Sequence, residues 1–462
     1  MEKFESFIQD TKTAGQEFLN SFDKTETIHI VSHHDTDGLC SAAILEQSLE
    51  KEKISFITIN LQQIDKENLN QLSKSINKKS TIIFTDIGST NLDLISEQLH
   101  SNKIIILDHH KPNVSEYSKN IKLINPFVYD IDEENMISGS GIVYFFCQGI
   151  NSTNKEYAYI AVLGAIGDTQ ENKGFQHLNN IILQHSILQK QIFVGKELQL
   201  YGKNSRPLIK VLEYSTDLNI PGLTNNYKGV IAFLKELRIP LYWKEKPRKW
   251  YQLKDFEKEA ITEKIISLKP DVPIEDMTIN TYRFNNITKR ELKYGREFST
   301  IINACGRLEE YRTAIDCLKN NETAQDSAIN NLRVYKSSIH DALIIFEKAR
   351  EEGTLIGNDK VIIFDTENKV KASIVGVIAS IIARNKYYES GVIICSLSTL
   401  DENYLKISLR VSQDKTDLNL SDFLQQLVSE FGANAGGHVN AAGAIIPLKH
   451  KQEFIDKLIS SV

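Results

Sequence analysis

The chain has no C-x-x-C pair: its 5 cysteines, Cys40, Cys147, Cys305, Cys317 and Cys395, are scattered singly along 462 residues. That gives no zinc or disulfide framework, suits a reducing compartment, and leaves small buried hydrophobes as their expected role. No apolar run approaches the ~20 residues that a membrane helix requires, so no membrane partner is expected. The opening Met1-Glu2-Lys3-Phe4-Glu5 is charged where a secretory signal is apolar, so a cytoplasmic protein is expected. There is no basic excess either. A net charge of −6 argues against coating nucleic acid by bulk electrostatics, but permits a local basic groove or an anionic substrate held through metals. Proline is scarce, and Pro207, Pro221, Pro240, Pro247, Pro270 and Pro273 hold most of it in one stretch, together with Trp243 and Trp250.

What is present is the balance of a globular protein, 41% hydrophobic and 25% charged. At ~150 residues per domain the length suggests roughly three domains. Short apolar runs at Thr27 to Ser32, Ile54 to Asn60, Thr81 to Asp86 and Lys103 to Asp108 alternate with helical patterns, which predicts a parallel sheet covered on both faces. Tyr157 to Ile166 and Phe175 to Leu188 are expected to be helical, and Ala324 to Glu352 to form one long helix. A second α/β unit follows, with strands at Lys360 to Asp365, Gly391 to Cys395 and Tyr404 to Arg410. Its expected helices are Ser373 to Arg384, Ser421 to Phe431 and Lys451 to Ser460. The fold class is therefore α/β: an N-terminal parallel-sheet domain, a helical connection with an insertion, and a smaller C-terminal α/β domain. The expected boundaries are 1–195, 196–290 for an inserted or interaction region, 291–355 for connecting helices, and 356–462.

Acidic and imidazole residues sit where the proposed strands end. The first strand runs into Ser32-His33-His34-Asp35-Thr36-Asp37-Gly38, the third ends at Asp86, and the fourth at Asp108-His109-His110. Asp168 follows a helical run. Ligands of open parallel sheets collect beyond the carboxyl ends of the strands, so these groups are expected to converge. Carboxylates brought together repel one another unless cations neutralise them. Asp and His donors without cysteine favour Mn2+ or Mg2+ over structural zinc. Two divalent ions ~3.5–4 Å apart are a recurrent device for phosphoester hydrolysis. Taken singly, each element has a plainer role. Asp35 and Asp37 before Gly38 fit a turn and helix cap, Asp86 a strand-ending turn, and a His-His pair surface or core decoration.

Together the elements H-x-D-x-D-G (His33 to Gly38), Asp86, D-H-H (Asp108 to His110) and Asp168 resemble the four motifs of the DHH phosphoesterase superfamily. Gly436-Gly437-His438-Val439-Asn440-Ala441-Ala442-Gly443 resembles the GGH-x-x-A-A-G motif of the DHH-associated domain, and Arg410 in Ser408-Leu409-Arg410 matches its strand arginine. Arg296-Glu297-Phe298 and Asn303-Ala304-Cys305-Gly306-Arg307 resemble a segment of archaeal RecJ-like exonucleases. The resemblance implies two divalent cations, Mn2+ ahead of Mg2+. His33, Asp35 and Asp86 would hold one; Asp37, Asp86, His109 and Asp168 would hold the other, with Asp86 bridging. His33 and His34 compete for the first position, and the family spacing favours His33. His110 would contact the scissile phosphate and Asp108 would orient a histidine. Arg410, Gly436, Gly437 and His438 would grip substrate.

Arg307 is expected either to face the cleft or to pair with Glu309 or Glu310. Lys244, Lys246, Arg248 and Lys249, lying between Trp243 and Trp250, read as a solvated face with buried tryptophans rather than a base-stacking platform. The implied activity is single-strand-specific exonucleolytic hydrolysis of DNA or RNA in a cytoplasmic protein, linked to replication or repair and associated with the GINS replication complex. Its rivals are a phosphodiesterase of short oligonucleotides or cyclic dinucleotides, and a replication-complex binding subunit.

Overall fold

The computed structural model describes residues 2–131, 135–172, 174–200, 202–203, 206–385, 387–414, 418–433 and 435–462. It divides into two units, Met1–Ile329 and Asn330–Val462. In the first, β1 (Ile28–His33), β2 (Phe56–Leu61), β3 (Thr81–Thr85), β4 (Lys103–Leu107) and β5 (Ile121–Ile124) form a parallel sheet in the order β2-β1-β3-β4-β5. The accompanying helices are α1 (Glu2–Ser21), α2 (Thr36–Lys51), α3 (Lys66–Ser75), α4 (Leu92–Gln98), α5 (Gly139–Ile150), α6 (Ala158–Gly167) and α7 (His177–Leu188). One sheet face carries Val31, Ile82, Phe84, Ile104 and Ile106, packed against Leu69 and Leu72 of α3 and Leu92 and Ile95 of α4. Helices α2 and α5 pack against the sheet as well, and α1 packs along α5. Burial on both faces is why the inner strands β3 and β4 read as continuous apolar runs, whereas β1 is broken by His29 and the edge strand β2 is only partly buried. Three of these elements carry no expectation from the sequence: α1, whose few buried positions sit among charges, β5, only four residues long, and α5.

The stretch expected to be an insertion has structure of its own. β6 (Ile192–Leu198), α8 (Leu208–Glu213), α9 (Tyr227–Glu236), β7 (Tyr242–Trp243), β8 (Lys246–Pro247), α10 (Asp255–Ser267), α11 (Ile274–Met277) and β9 (Thr278–Phe284) follow in order. β6 and β9 pair antiparallel, so the insertion leaves and returns along one ribbon. Leu212, Val230, Leu234, Ile261 and Met277 belong to its core. The expected solvated face holds only in part. Trp250 is buried, but Trp243 is 47% exposed and Arg248 only 3% exposed. Burial of Arg248 is compensated by a two-pronged pair with Glu257, Nη1 to Oε1 at 2.9 Å and Nη2 to Oε2 at 2.6 Å.

After the ribbon come α12 (Gly295–Arg307), α13 (Tyr311–Leu318) and the thirty-residue α14 (Glu322–Glu351), within which the chain passes into the second unit. That unit contains β10 (Ile356–Gly357), β11 (Val361–Asp365), α15 (Val375–Arg384), β12 (Ile393–Thr399), β13 (Tyr404–Val411), α16 (Leu420–Ser429), β14 (Ala435–His438), β15 (Ala441–Pro447) and α17 (Lys451–Ser460). The mixed sheet runs β10-β11-β12-β13-β15-β14. All five cysteines are buried, and none is in a disulfide. Among the described residues, no helix is long and apolar enough to cross a membrane.

Candidate metal centre

β1, β3 and β4 are neighbours in the sheet, so their carboxyl ends deliver His33, Asp86 and Asp108-His109-His110 to one rim. Asp35 does cap α2, its side chain accepting from the Gly38 N–H at 3.1 Å, and it still faces the rim. Asp168 arrives as the C-cap of α6.

Three overlapping donor groups result: Asp86, Asp108, His109 and His110 lie within reach of one another, and two further sets match the expected ligands. His33, Asp35 and Asp86 form one, and Asp37, Asp86, His109 and Asp168 the other; within each, one ligand atom per residue lies within 4.8 Å of all the rest. Asp86 belongs to both. Its Oδ2 is 3.4 Å from His33 Nδ1, and its Oδ1 is 3.3 Å from His109 Nε2. The other oxygens close the sets, with Asp35 Oδ2 3.1 Å from His33 Nδ1 and Asp168 Oδ2 3.3 Å from His109 Nε2. His34 is buried beside His33, with the two rings edge to face, but contributes to neither set.

The backbone at Asp86 is set by the sheet. Its N–H donates to Leu107 O at 2.9 Å while its φ is +60°, a left-handed conformation unfavourable for a residue with a Cβ. Small residues make the room. A Cβ on Gly139 would meet Asp86 Oδ1 at 2.6 Å, and one on Gly164 would meet Asp37 Oδ1 at 2.3 Å. Between these glycines, Ser140 donates both its main-chain N–H, at 3.2 Å, and its hydroxyl to Asp37 Oδ1.

The electrostatics are those of a pocket short of positive charge. Burial, then the charges of Asp86 and Asp35, push Asp37 up to about 7, against the pull of His109 and Ser140. Burial and the Asp37 charge raise Asp168 well above the usual carboxylate range. Burial disfavours the His109 imidazolium, yet Asp86, Asp168 and Asp37 outweigh it and lift the ring to about 10. His33 is likewise raised by Asp35 and Asp86 in spite of its burial. Both Asp86 oxygens, Asp37 Oδ2 and His33 Nδ1 are buried without a hydrogen-bond partner. Orphaned donor atoms of this kind, all oxygen and imidazole nitrogen, fit divalent cations.

Behind the cluster, Asp108 is fully buried and accepts from the Ser89 N–H at 2.8 Å. Its other oxygen is 2.7 Å from His110 Nδ1, whose ring is half exposed. Helix α12 packs against the same rim. Thr36 Oγ1 donates to Ser299 O at 3.0 Å, and a Cβ on Gly306 would meet His34 O at 2.0 Å. The helix carries Arg307 at its end and Arg296 at its start. Arg296 Nε donates to the buried Glu171 at 2.8 Å, three residues beyond Asp168.

Ser140, Gly139, Gly164 and Glu171 were not singled out from the sequence. The small-residue run Ser138-Gly139-Ser140-Gly141 is the signal that could have found the first two. We expect Ser140→Ala to weaken cation binding at the Asp37 set by roughly tenfold while the fold is kept, because it removes a donor that orients a ligand. Mn2+ titration followed by paramagnetic resonance checks this.

In the second unit, Arg410 on β13 faces Ala441, which faces His438 on β14; Ser408, Gly443 and Gly436 line up likewise. Directly opposed residues share a sheet face. Ile407, Leu409 and Ala442 belong to the core on the other face. Arg410 Nε donates to Ser380 Oγ of α15 at 2.9 Å, and its Nη1 to Leu409 O at 2.7 Å. Gly436 has nothing within 4 Å of where a Cβ would stand, so the edge beside Arg410 and His438 is open.

The chain matches the DHH family N-terminal domain over residues 27–166, the DHH-CID domain over 200–280 and the DHHA1 domain over 358–462. It belongs to the DHH superfamily. Among curated proteins, the uncharacterized protein MJ0831 of Methanocaldococcus jannaschii is 28% identical over 475 residues, covering 99% of this chain and 98% of that protein. Among solved structures, exonuclease RecJ bound to manganese aligns with a TM-score of 0.58 at 14% identity, covering 98% of this DHH chain and 94% of RecJ. CDC45 from Entamoeba histolytica aligns at 0.62 and 13% identity, covering 99% and 98%. The DHH protein thus has the RecJ-like fold across its whole length.

Proposed function

We propose that this DHH protein is a metal-dependent exonuclease, hydrolysing phosphodiester bonds of single-stranded DNA or RNA from an end. The observation that carries the reading is the double donor set sharing Asp86. His33, Asp35 and Asp86 would hold one cation, and Asp37, Asp86, His109 and Asp168 the other. Cations bound there would supply charge to acidify a water and to stabilise phosphoryl oxygens. The remaining roles fall to side chains. With Nδ1 fixed by Asp108, His110 presents Nε2 as a hydrogen-bond donor to a phosphoryl oxygen; Asp108 outweighs its burial and raises its pKa, which keeps the ring protonated for that task. Arg307 on α12 is assigned to the phosphate backbone. Arg410, Gly436, Gly437 and His438 are assigned to the terminal nucleotide, with the glycines letting main-chain N–H groups come close.

In this reading residues 1–195 carry the chemistry and 356–462 the grip. Residues 196–290 are assigned to contact with a replication partner such as GINS; the likeness to CDC45 bears only on replication complexes in general. A purely binding role is the second reading, favoured by that same likeness and disfavoured by the complete donor sets. End-labelled single strands of matched DNA and RNA, incubated with Mn2+, separate the possibilities. Release of nucleotides from chains of ten or more residues is expected, with duplex left intact. A sharp optimum at two or three nucleotides would instead identify a short-oligonucleotide phosphodiesterase, and no hydrolysis of any length would leave the binding role.

A further inference from the structure

The strands that end in the candidate metal centre begin at a second concavity. A cavity of about 480 Å3 lies at the amino-terminal edge of the same sheet, where β3, β4 and β5 start, walled on one side by α1. β4 spans the two, with Lys103 at the cavity and Asp108 following its far end. Five strand residues separate them by about 17 Å. None of the cavity residues takes part in the cluster around Asp86.

Its lining is of two kinds. Phe18, Ile104 and Ile121 belong to the apolar floor. Lys79, Lys103, Lys119 and Lys122 stand around the rim, with Glu17 as the one carboxylate in the lining. Lys122 is occupied by that carboxylate, Nζ to Oε2 at 2.5 Å. Among the described residues, the hydrogen bond of Lys103 goes to the neutral hydroxyl of Ser21, at 3.3 Å. Three ammonium charges are therefore left over in a chain whose net charge is −6. That is a local reversal of sign, and it calls for an anion of more than one charge.

The wall is held in place before any ligand arrives. Asn120 Nδ2 donates to Leu99 O at 3.0 Å and Asn102 O at 2.7 Å. Asn102 Nδ2 donates to Asn77 O at 3.1 Å and Ser80 O at 3.2 Å. These four bonds tie together the backbone segments that carry or adjoin Lys79, Lys103 and Lys119, so little main-chain ordering remains to be done on binding.

We propose that this cavity binds a nucleoside di- or triphosphate, its ring over the apolar floor beside α1 and its phosphates among Lys79, Lys103 and Lys119. The volume falls within the roughly 300–1,000 Å3 of small-ligand pockets, which favours a compact molecule over the flat face of a protein partner. Lysine supplies mobile point charges suited to a phosphate chain. The apolar floor gives the ring a place that a bare polyanion would leave empty. The inference is independent of the hydrolytic reading, since none of its residues belongs to that machinery.

Calorimetric titration of the full chain in EDTA, so that no cation recruits phosphate to the Asp86 cluster, tests it. The titrants are ATP, adenosine, tripolyphosphate and hexaglutamate, and the proteins are the parent chain and Lys103→Glu/Lys119→Glu. Both lysines are exposed, so the double variant should fold, which circular dichroism verifies. We expect saturable 1:1 binding of ATP, weakened at least tenfold by the double variant and at least tenfold when either ring or phosphates are missing. Absence of saturable binding, equal binding by the double variant, tripolyphosphate as tight as ATP, or hexaglutamate as tight as ATP would each overturn the proposal. The last result would mark the site as a dock for an acidic peptide.

Discussion

Asp86→Ala is expected to lower Mn2+-dependent hydrolysis by at least about a thousandfold and to reduce cation binding from two sites to at most one. The magnitude follows from the position of the residue. Each of its oxygens faces a different histidine, at 3.4 Å and 3.3 Å, and neither has a hydrogen-bond partner. A carboxylate shared by two donor sets takes both down when it is removed, whereas Asp35 or Asp168 serves one each. The fold should survive. The left-handed backbone at Asp86 costs of order 1–3 kcal/mol, and alanine, which tolerates that region less well than aspartate, adds only a fraction of it. Steady-state assays with calorimetric counting of sites check both halves. A variant that retains two sites and full activity would remove Asp86 from the centre.

A strong dependence of cation affinity on pH is expected at the set formed by Asp37, Asp86, His109 and Asp168. Without cations, Asp37 titrates at about 7 and His109 at about 10, so at pH 6 both carry protons that a cation must displace. Affinity should therefore rise roughly 30–100-fold between pH 6 and 7, and by about tenfold per unit above pH 8, where only the His109 proton remains. The stability of the metal-free chain should move the other way. An acid whose folded pKa is raised favours the folded state below its unfolded value, near 3.8 for Asp37, and loses that contribution as pH climbs through about 7. His109 has the same sign, its contribution present below 6.5 and lost as pH passes through about 10. EDTA-treated protein should melt progressively lower from pH 5 to 8, while the Mn2+-loaded protein gains. Titration in buffers of different ionisation enthalpy reads the proton release directly; a flat affinity from pH 6 to 8 would contradict the linkage.

The parts of this arrangement that were legible in the sequence share a physical cause. β1, β3 and β4 are buried on both faces, so β3 and β4 read as apolar runs and β1 as one broken by His29, and the acidic and imidazole residues just past them mark the rim. Hidden were the contacts that depend on distant chain segments meeting. Ser140 reaches Asp37 across 103 residues and Arg296 reaches Glu171 across 125, and no local pattern encodes either distance. The β6–β9 ribbon pairs Ile192 with Phe284, and Gly195 and Lys196 interrupt its apolar alternation. Glycine has little strand propensity, yet Gly436 and Gly437 lie in β14, held by its pairing to β15. Arg248 was misread because a run of cations usually solvates; Glu257, nine residues on, takes it inside.

Anomalous diffraction from Mn2+-soaked crystals of the chain is the most direct measurement on the centre. Two peaks should appear, one among His33, Asp35 and Asp86 and one among Asp37, Asp86, His109 and Asp168, with Asp86 touching both. A map without peaks there, or with one peak that leaves Asp86 uncoordinated, would contradict the account.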